Sequence, residues 1–188
     1  MKSEEIKYKI TIKSFFGHLH TVNKHRFKVF KLCCKAGIPW QGLVHDLSKY
    51  SLTEFLEGAK YYTGGYSPIQ NRKKNVGYSE AWLHHKGRNK HHYEYWFDNG
   101  APLKTPIIPF KYFVEMICDT LAAGLTYQGN KWTKDYQLAY WTKTSKTRII
   151  NPKMEVLVTK VYEEIAESGI DKVLRKEHLR KLYDKYTN

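Results

Sequence analysis

The sequence predicts an all-α protein, a single compact helical bundle with long loops, and three observations carry that expectation. Apolar residues recur at three- and four-residue steps in several separate segments. Helix-start signatures stand at Ser51/Glu54 and at Asn151-Pro152. No alternating apolar/polar run is long enough to require a sheet, and there is no internal repeat or low-complexity tract. A chain of 188 residues fits one domain. The expected organisation is one domain over 1–188, with its core at 15–125 and residues 126–188 completing it.

Phe15, His18, Val22, His25, Val29 and Leu32 lie on one face of a first helix, so two histidines face the core. Gly37-Ile38-Pro39 ends it, and Trp40 to Lys49 reads as a second, short helix. Ser51 and Glu54 are spaced as a capping box that opens a third. Residues 63 to 78 contain Gly64-Gly65, Pro68 and Arg72-Lys73-Lys74, and read as a long loop of the kind that covers sites. Tyr78 to Lys86 returns to helix, Gly87-Arg88-Asn89 breaks it, and His91 to Phe97 starts another before the proline-bearing loop to Pro109. Phe113, Ile117, Thr120, Leu121 and Gly124 form a helical stripe, whereas Tyr127 to Ile150 has little period. Asn151 caps and Pro152 opens a helix whose apolar face is Met154, Leu157, Val158, Val161 and Ile165, and Ser168-Gly169 ends it. Val173 to Tyr186 is a basic helix or helix pair.

Lys and Arg number 32 against 18 Asp and Glu, a formal charge of +14 that attracts polyanions. Aromatic content is 15%, half of it tyrosine, which suits semi-polar clefts and stacking surfaces. Three cysteines, Cys33, Cys34 and Cys118, lack zinc-ribbon spacing and point to reduced thiols and a cytoplasmic location. No apolar run reaches the length of a membrane span, and Met1-Lys2-Ser3-Glu4-Glu5 does not read as an export or transit signal.

The chemistry concentrates around His45-Asp46 in the run Gly42-Leu43-Val44-His45-Asp46-Leu47-Ser48-Lys49. Imidazole, carboxylate and ammonium within five residues are the parts of a metal-centred phosphate chemistry. His25 lies upstream, His84, His85, His91 and His92 cluster in the middle, and Asp119 follows on an apolar stretch. Imidazole with carboxylate suits manganese, iron, cobalt, nickel or zinc rather than calcium. Glu115, one turn before Asp119, is a candidate to orient a ligand or a water, with an exposed carboxylate as the equal alternative. Arg72, Lys73, Arg88 and Lys90 are candidate phosphate contacts, with a solvated basic face as the equal alternative. His18 taken alone reads as a hydrogen-bonded core residue.

The order His25, His45-Asp46, a middle histidine pair and Asp119 resembles the HD-domain metalloprotein superfamily, and His45-Asp46-Leu47-Ser48-Lys49 matches its HD-x-[G/S]-K string. The phrases HLHTVNKHRFKV, WQGLVHDLSKYS, AWLHHKGRNKHHYEYW and EMICD resemble a family of small bacterial and phage proteins of unknown function, over roughly residues 15 to 125. The superfamily resemblance implies a first ion held by His25, His45, Asp46 and Asp119. Asp46 would bridge to a second ion held by one histidine of 84/85 and one of 91/92, with His85 and His92 favoured. The residues expected to act in catalysis are Asp46, Lys49 and Glu115.

The function expected from these readings is a metal-dependent phosphohydrolase with one or two ions, acting on a nucleotide or another phosphorylated anionic substrate. Lys49 would neutralise charge developing on the phosphate. A di-iron oxygenase of the same superfamily is the second option. The third is a basic nucleic-acid-binding protein with a structural metal, using Tyr127 to Arg148 as its surface. No membrane partner is expected, and Tyr-rich helical faces leave a homodimer open.

Overall fold

The computed structural model describes residues 8–188, so the leader reading of Met1–Glu5 lies outside the described residues. Among those described there are ten α-helices and no strand. They are α1 (Ile12–Lys35), α2 (Pro39–Val44), α3 (Leu52–Lys60), α4 (Pro68–Val76), α5 (Glu80–Lys86), α6 (Phe110–Gln128), α7 (Tyr136–Lys143), α8 (Pro152–Ser168), α9 (Ile170–Val173) and α10 (Lys176–Thr187). Short 3-10 turns occur at Leu47–Tyr50, Tyr93–Trp96, Gly129–Lys131 and Ser145–Thr147. No described helix is long and apolar enough to cross a membrane. The described backbone groups into two compact units, a larger one of 24–46 with 86–188 and a smaller one of 8–23 with 47–85.

The larger unit is organised on α6. Phe113, Val114, Ile117, Cys118, Leu121 and Ala122 are all fully buried, so this helix is apolar nearly all round and belongs in a core. Val29 and Cys33 of α1 and Ala36 just after it, Trp141 of α7, and Met154, Leu157, Val158, Val161 and Ile165 of α8 join the same cluster with Leu174, Leu179 and Leu182. Each such side chain contributes about 1.5–3 kcal/mol relative to exposure, enough for the α8 stripe to dictate which face packs inward. Asn151 caps α8 by accepting from Lys153 N at 3.0 Å. Gly37, at φ +73°, ends α1 in the left-handed conformation that glycine adopts without steric cost. Gly42 lets α2 lie on α1, since a Cβ there would stand 2.6 Å from Cys33 Cβ and 2.9 Å from Phe30 Cα.

In the smaller unit, Val22, Phe55, Ala59, Tyr61 and Ala81 are buried beside the polar residues His18, Glu54, Asn71, Ser79 and His85. Gly58 of α3 faces His18, whose Nε2 would lie 2.2 Å from an added Cβ. Residues 63 to 78 do not form one long loop, because 68–76 fold as α4. Pro68 sits at the helix start, where its missing N–H costs nothing. Gly77, at φ +91°, closes the helix by donating to Lys73 O, and Lys73 and Lys74 sit in the last turn, where cations suit the helix dipole. Buried Asn71 anchors α4 by donating to Tyr61 O at 2.8 Å.

Trp40 to Lys49 is not one helix: α2 stops at Val44, His45 is extended at φ −53° and ψ 132°, and a 3-10 turn begins at Leu47. Asp46 between them has φ +54°, the single positive φ among described non-glycine residues.

Candidate metal centre

The larger unit brings the ligand candidates together from four places in the chain. α1 carries His25, the break after α2 carries His45 and Asp46, the turn before Tyr93 carries His91 and His92, and α6 carries Glu115 and Asp119. The α6 pair is spaced i, i+4, so both carboxylates lie on one face of a helix whose other buried residues are apolar. Left-handed backbone is uncommon outside glycine, and aspartate is among the side chains that tolerate it. At Asp46 this conformation interrupts the helix and turns the carboxylate of one residue and the ring of its neighbour into the same space.

His45 Nε2 lies 3.2 Å from Asp46 Oδ2 and 3.5 Å from Asp119 Oδ1. His25 Nε2 is 2.9 Å from Asp119 Oδ1 and 3.9 Å from Asp46 Oδ2. His91 Nε2 is 3.4 Å from Asp46 Oδ1 and 3.9 Å from Asp119 Oδ2. Behind the rings, Glu115 Oε1 takes Nδ1 of His45 and Nδ1 of His91, each at 3.0 Å. Gln41 Nε2 donates to the other Glu115 oxygen at 2.7 Å. Arg26 fixes the backbone of the break, donating from Nε to His45 O at 2.7 Å and from Nη2 to Leu43 O at 2.9 Å. Glu115 therefore sits on the Nδ1 side of two imidazoles and orients them, while Asp46 and Asp119 face their Nε2 atoms.

The protonation pattern shows a site short of positive charge. Burial alone would lower the His45 pKa, but Asp46, Asp119 and Glu115 together hold it well above the usual value. Burial alone would raise the Asp119 pKa, yet His25 and His45 hold it well below the usual carboxylate range. Glu115 is likewise pushed up by burial and brought down to about 2 by its hydrogen bonds to His45 and His91. Asp119 and Glu115 are thus held ionised, each by the imidazoles it contacts.

These residues fit a metal ion on two counts. His45 Nε2 is fully buried and makes no hydrogen bond, despite two carboxylate oxygens within 3.5 Å. One atom each from His25, His45, Asp46 and Asp119, one each from Asp46, His91 and His92, and one each from His45, His91 and Glu115 lie within 4.8 Å of one another in each group. The mixture of imidazole and carboxylate is the donor set of iron, manganese, cobalt, nickel or zinc.

A model of a protein family matches residues 14–164, more than half of the chain. The chain belongs to DUF5662, a family of unknown function. No curated protein and no solved structure matches it. The DUF5662 match covers every residue of the cluster just described.

The remaining candidates of this DUF5662 chain lie in the smaller unit or on exposed turns. His84 and His85 of α5 converge on Glu54: His84 Nδ1 is 2.6 Å from Oε1 and His85 Nδ1 is 2.7 Å from Oε2. Lys49 Nζ is 3.4 Å from His85 Nε2, and Ser48 Oγ is 3.2 Å from its Nδ1. Arg72 is taken up by Glu57 at 3.3 Å and by the Tyr61 hydroxyl at 2.9 Å. Lys73 lies over the Trp82 ring at 4.6 Å. Arg88 and Lys90 are exposed on the turn after α5. Arg26, Gln41 and Glu54 were not among the sequence candidates as site residues. Glu54 was visible as a helix-start acid, while nothing in the spacing of Arg26 or Gln41 signals their partners.

Proposed function

We propose that the protein is a metal-dependent phosphohydrolase acting on a nucleotide or a similar phosphorylated anion. The observation that carries the reading is Asp46: a left-handed, buried aspartate beside His45, at the meeting point of three imidazoles and a second carboxylate. Strained backbone of this kind is kept where the surrounding structure requires it and concentrates at functional sites. The resemblance of His45-Asp46-Leu47-Ser48-Lys49 to the HD-x-[G/S]-K string of the HD-domain superfamily supports the phosphohydrolase class. The charge of +14 favours an anionic substrate.

His25, His45, Asp46 and Asp119 would hold an ion, with His91 and His92 extending the set from Asp46. A bound divalent transition metal supplies Lewis acidity and a water of lowered pKa. Glu115 keeps His45 and His91 with Nδ1 protonated, so that Nε2 is the ligating atom of each. The HD-x-[G/S]-K resemblance assigns Lys49 the role of neutralising phosphoryl charge, and Arg26 holds the His45 backbone against displacement.

The test is elemental analysis of the wild-type protein beside Asp46→Asn, which tolerates the same backbone conformation, followed by a phosphoester panel with the metal found. The expected result is one or two ions per chain in the wild type, an affinity lowered by about 100-fold or more in the variant, an unchanged circular dichroism spectrum, and turnover only in the wild type. No metal in the wild type after reconstitution overturns the reading. Iron with oxygen consumption and no phosphoester turnover replaces it with the di-iron oxygenase reading.

A further inference from the structure

Adjacent positions on a helix point about 100° apart, so consecutive histidines ordinarily diverge. His84 and His85 instead meet on one carboxylate, each giving Nδ1 to a different oxygen of Glu54 at 2.6 and 2.7 Å. Glu54 is 5% exposed and His85 1%, so water does not substitute for this arrangement. Glu54 was expected to complete a capping box by reaching back to Ser51 N. That N–H is taken by Ser48 O at 2.9 Å, and Ser51 caps α3 alone by accepting from Glu54 N. The acid side chain is thereby released to the histidines. A carboxylate that accepts from both Nδ1 atoms requires both to carry hydrogen, which makes Nε2 the lone-pair atom of each neutral ring. On the Nε2 side of His85 stands a cation, the Lys49 ammonium at 3.4 Å.

The arrangement repeats, within the smaller unit, what Glu115 does for His45 and His91 in the larger one. We propose that Glu54 is the positioning residue of the His84/His85 pair: it fixes both rings through Nδ1 and presents His85 Nε2 to a divalent ion. The Lys49 ammonium, 3.4 Å from the same Nε2, is the cation an incoming ion would move aside. The inference rests on the metal-dependent reading above and adds to it a residue and a ligating atom.

The test compares Glu54→Gln, His85→Ala and the double variant, each checked for folding by circular dichroism and thermal unfolding. In the metal-free proteins, nitrogen-15 chemical shifts of the histidine rings report the tautomer. The wild type should show His84 and His85 with Nδ1 protonated, and Glu54→Gln, which can accept from only one ring, should move at least one to the Nε2-protonated form. Titration with manganese should give two ions in the wild type and a second ion bound about 10–100-fold more weakly in Glu54→Gln, with no further loss when His85→Ala is added. An unchanged second ion in Glu54→Gln, or additive losses in the double variant, overturns the role of Glu54 and leaves the metal reading intact. A single wild-type ion unaffected by His85→Ala does the same. No ion in the wild type overturns both.

Discussion

In the larger unit Glu115 accepts from His45 and His91, and in the smaller unit Glu54 accepts from His84 and His85, always through Nδ1. What differs is the far side of the rings. His45 and His91 turn Nε2 towards Asp46 and Asp119, whereas His85 turns Nε2 towards the Lys49 ammonium. The first cluster holds excess negative charge, compensated by an imidazole whose pKa is raised well above its ordinary value. The second supplies its own cation. A carboxylate behind two imidazoles thus orients ligands in either setting, but the demand for an external ion is set by the charges in front of them. An ion at the larger unit's cluster should accordingly bind more tightly than one that must displace an ammonium.

The largest expected effect separates the units by acid. His18, in the smaller unit, has its pKa lowered to about 4, first by burial and then by the charge of Lys49. It packs against Phe55 and Tyr62 as a neutral ring. Its folded pKa lies below its unfolded value of 6.5, so its stabilising contribution is complete above pH 6.5 and is lost as pH falls towards 4. The loss should reach about 3 kcal/mol, read as the difference in urea-unfolding free energy between pH 7 and pH 4. His18→Gln should remove most of that difference; an equally steep acid loss in the variant would refute the assignment.

Next in size, Glu115→Gln should weaken the tightest ion by about 10–100-fold, because an amide that keeps its oxygen at the Oε1 position, where both Nδ1 atoms converge, turns its own NH2 group against the Gln41 donor. Isothermal titration with zinc or manganese measures this, and an affinity equal to wild type would show that the brace is dispensable. Smaller still, Gly42→Ala should cost about 1–2 kcal/mol, since its Cβ meets the backbone of α1 at Phe30, which cannot rotate away. The same variant should weaken metal binding by shifting the end of α2 that leads into His45. Normal metal binding with normal stability would show that α2 has room to adjust.

The sequence by itself determined the helical class, the stripe of α8, the capped starts at Ser51 and Asn151, and the identities of His25, His45, Asp46 and Asp119 as chemistry-bearing positions. These follow from local period and local hydrogen bonding, which act within a few residues and are legible one segment at a time. Residues 68–76 have the composition of a loop, proline and a basic run, while in space the proline opens a helix and the lysines close it. Only the tertiary structure decided that the helix breaks at Asp46, that Glu115 and Gln41 stand behind His45, and that Glu54 leaves its cap for two histidines. Each of those outcomes is a competition between a local hydrogen bond and one made across tens of residues, and the winner depends on which buried donors would otherwise go unpaired.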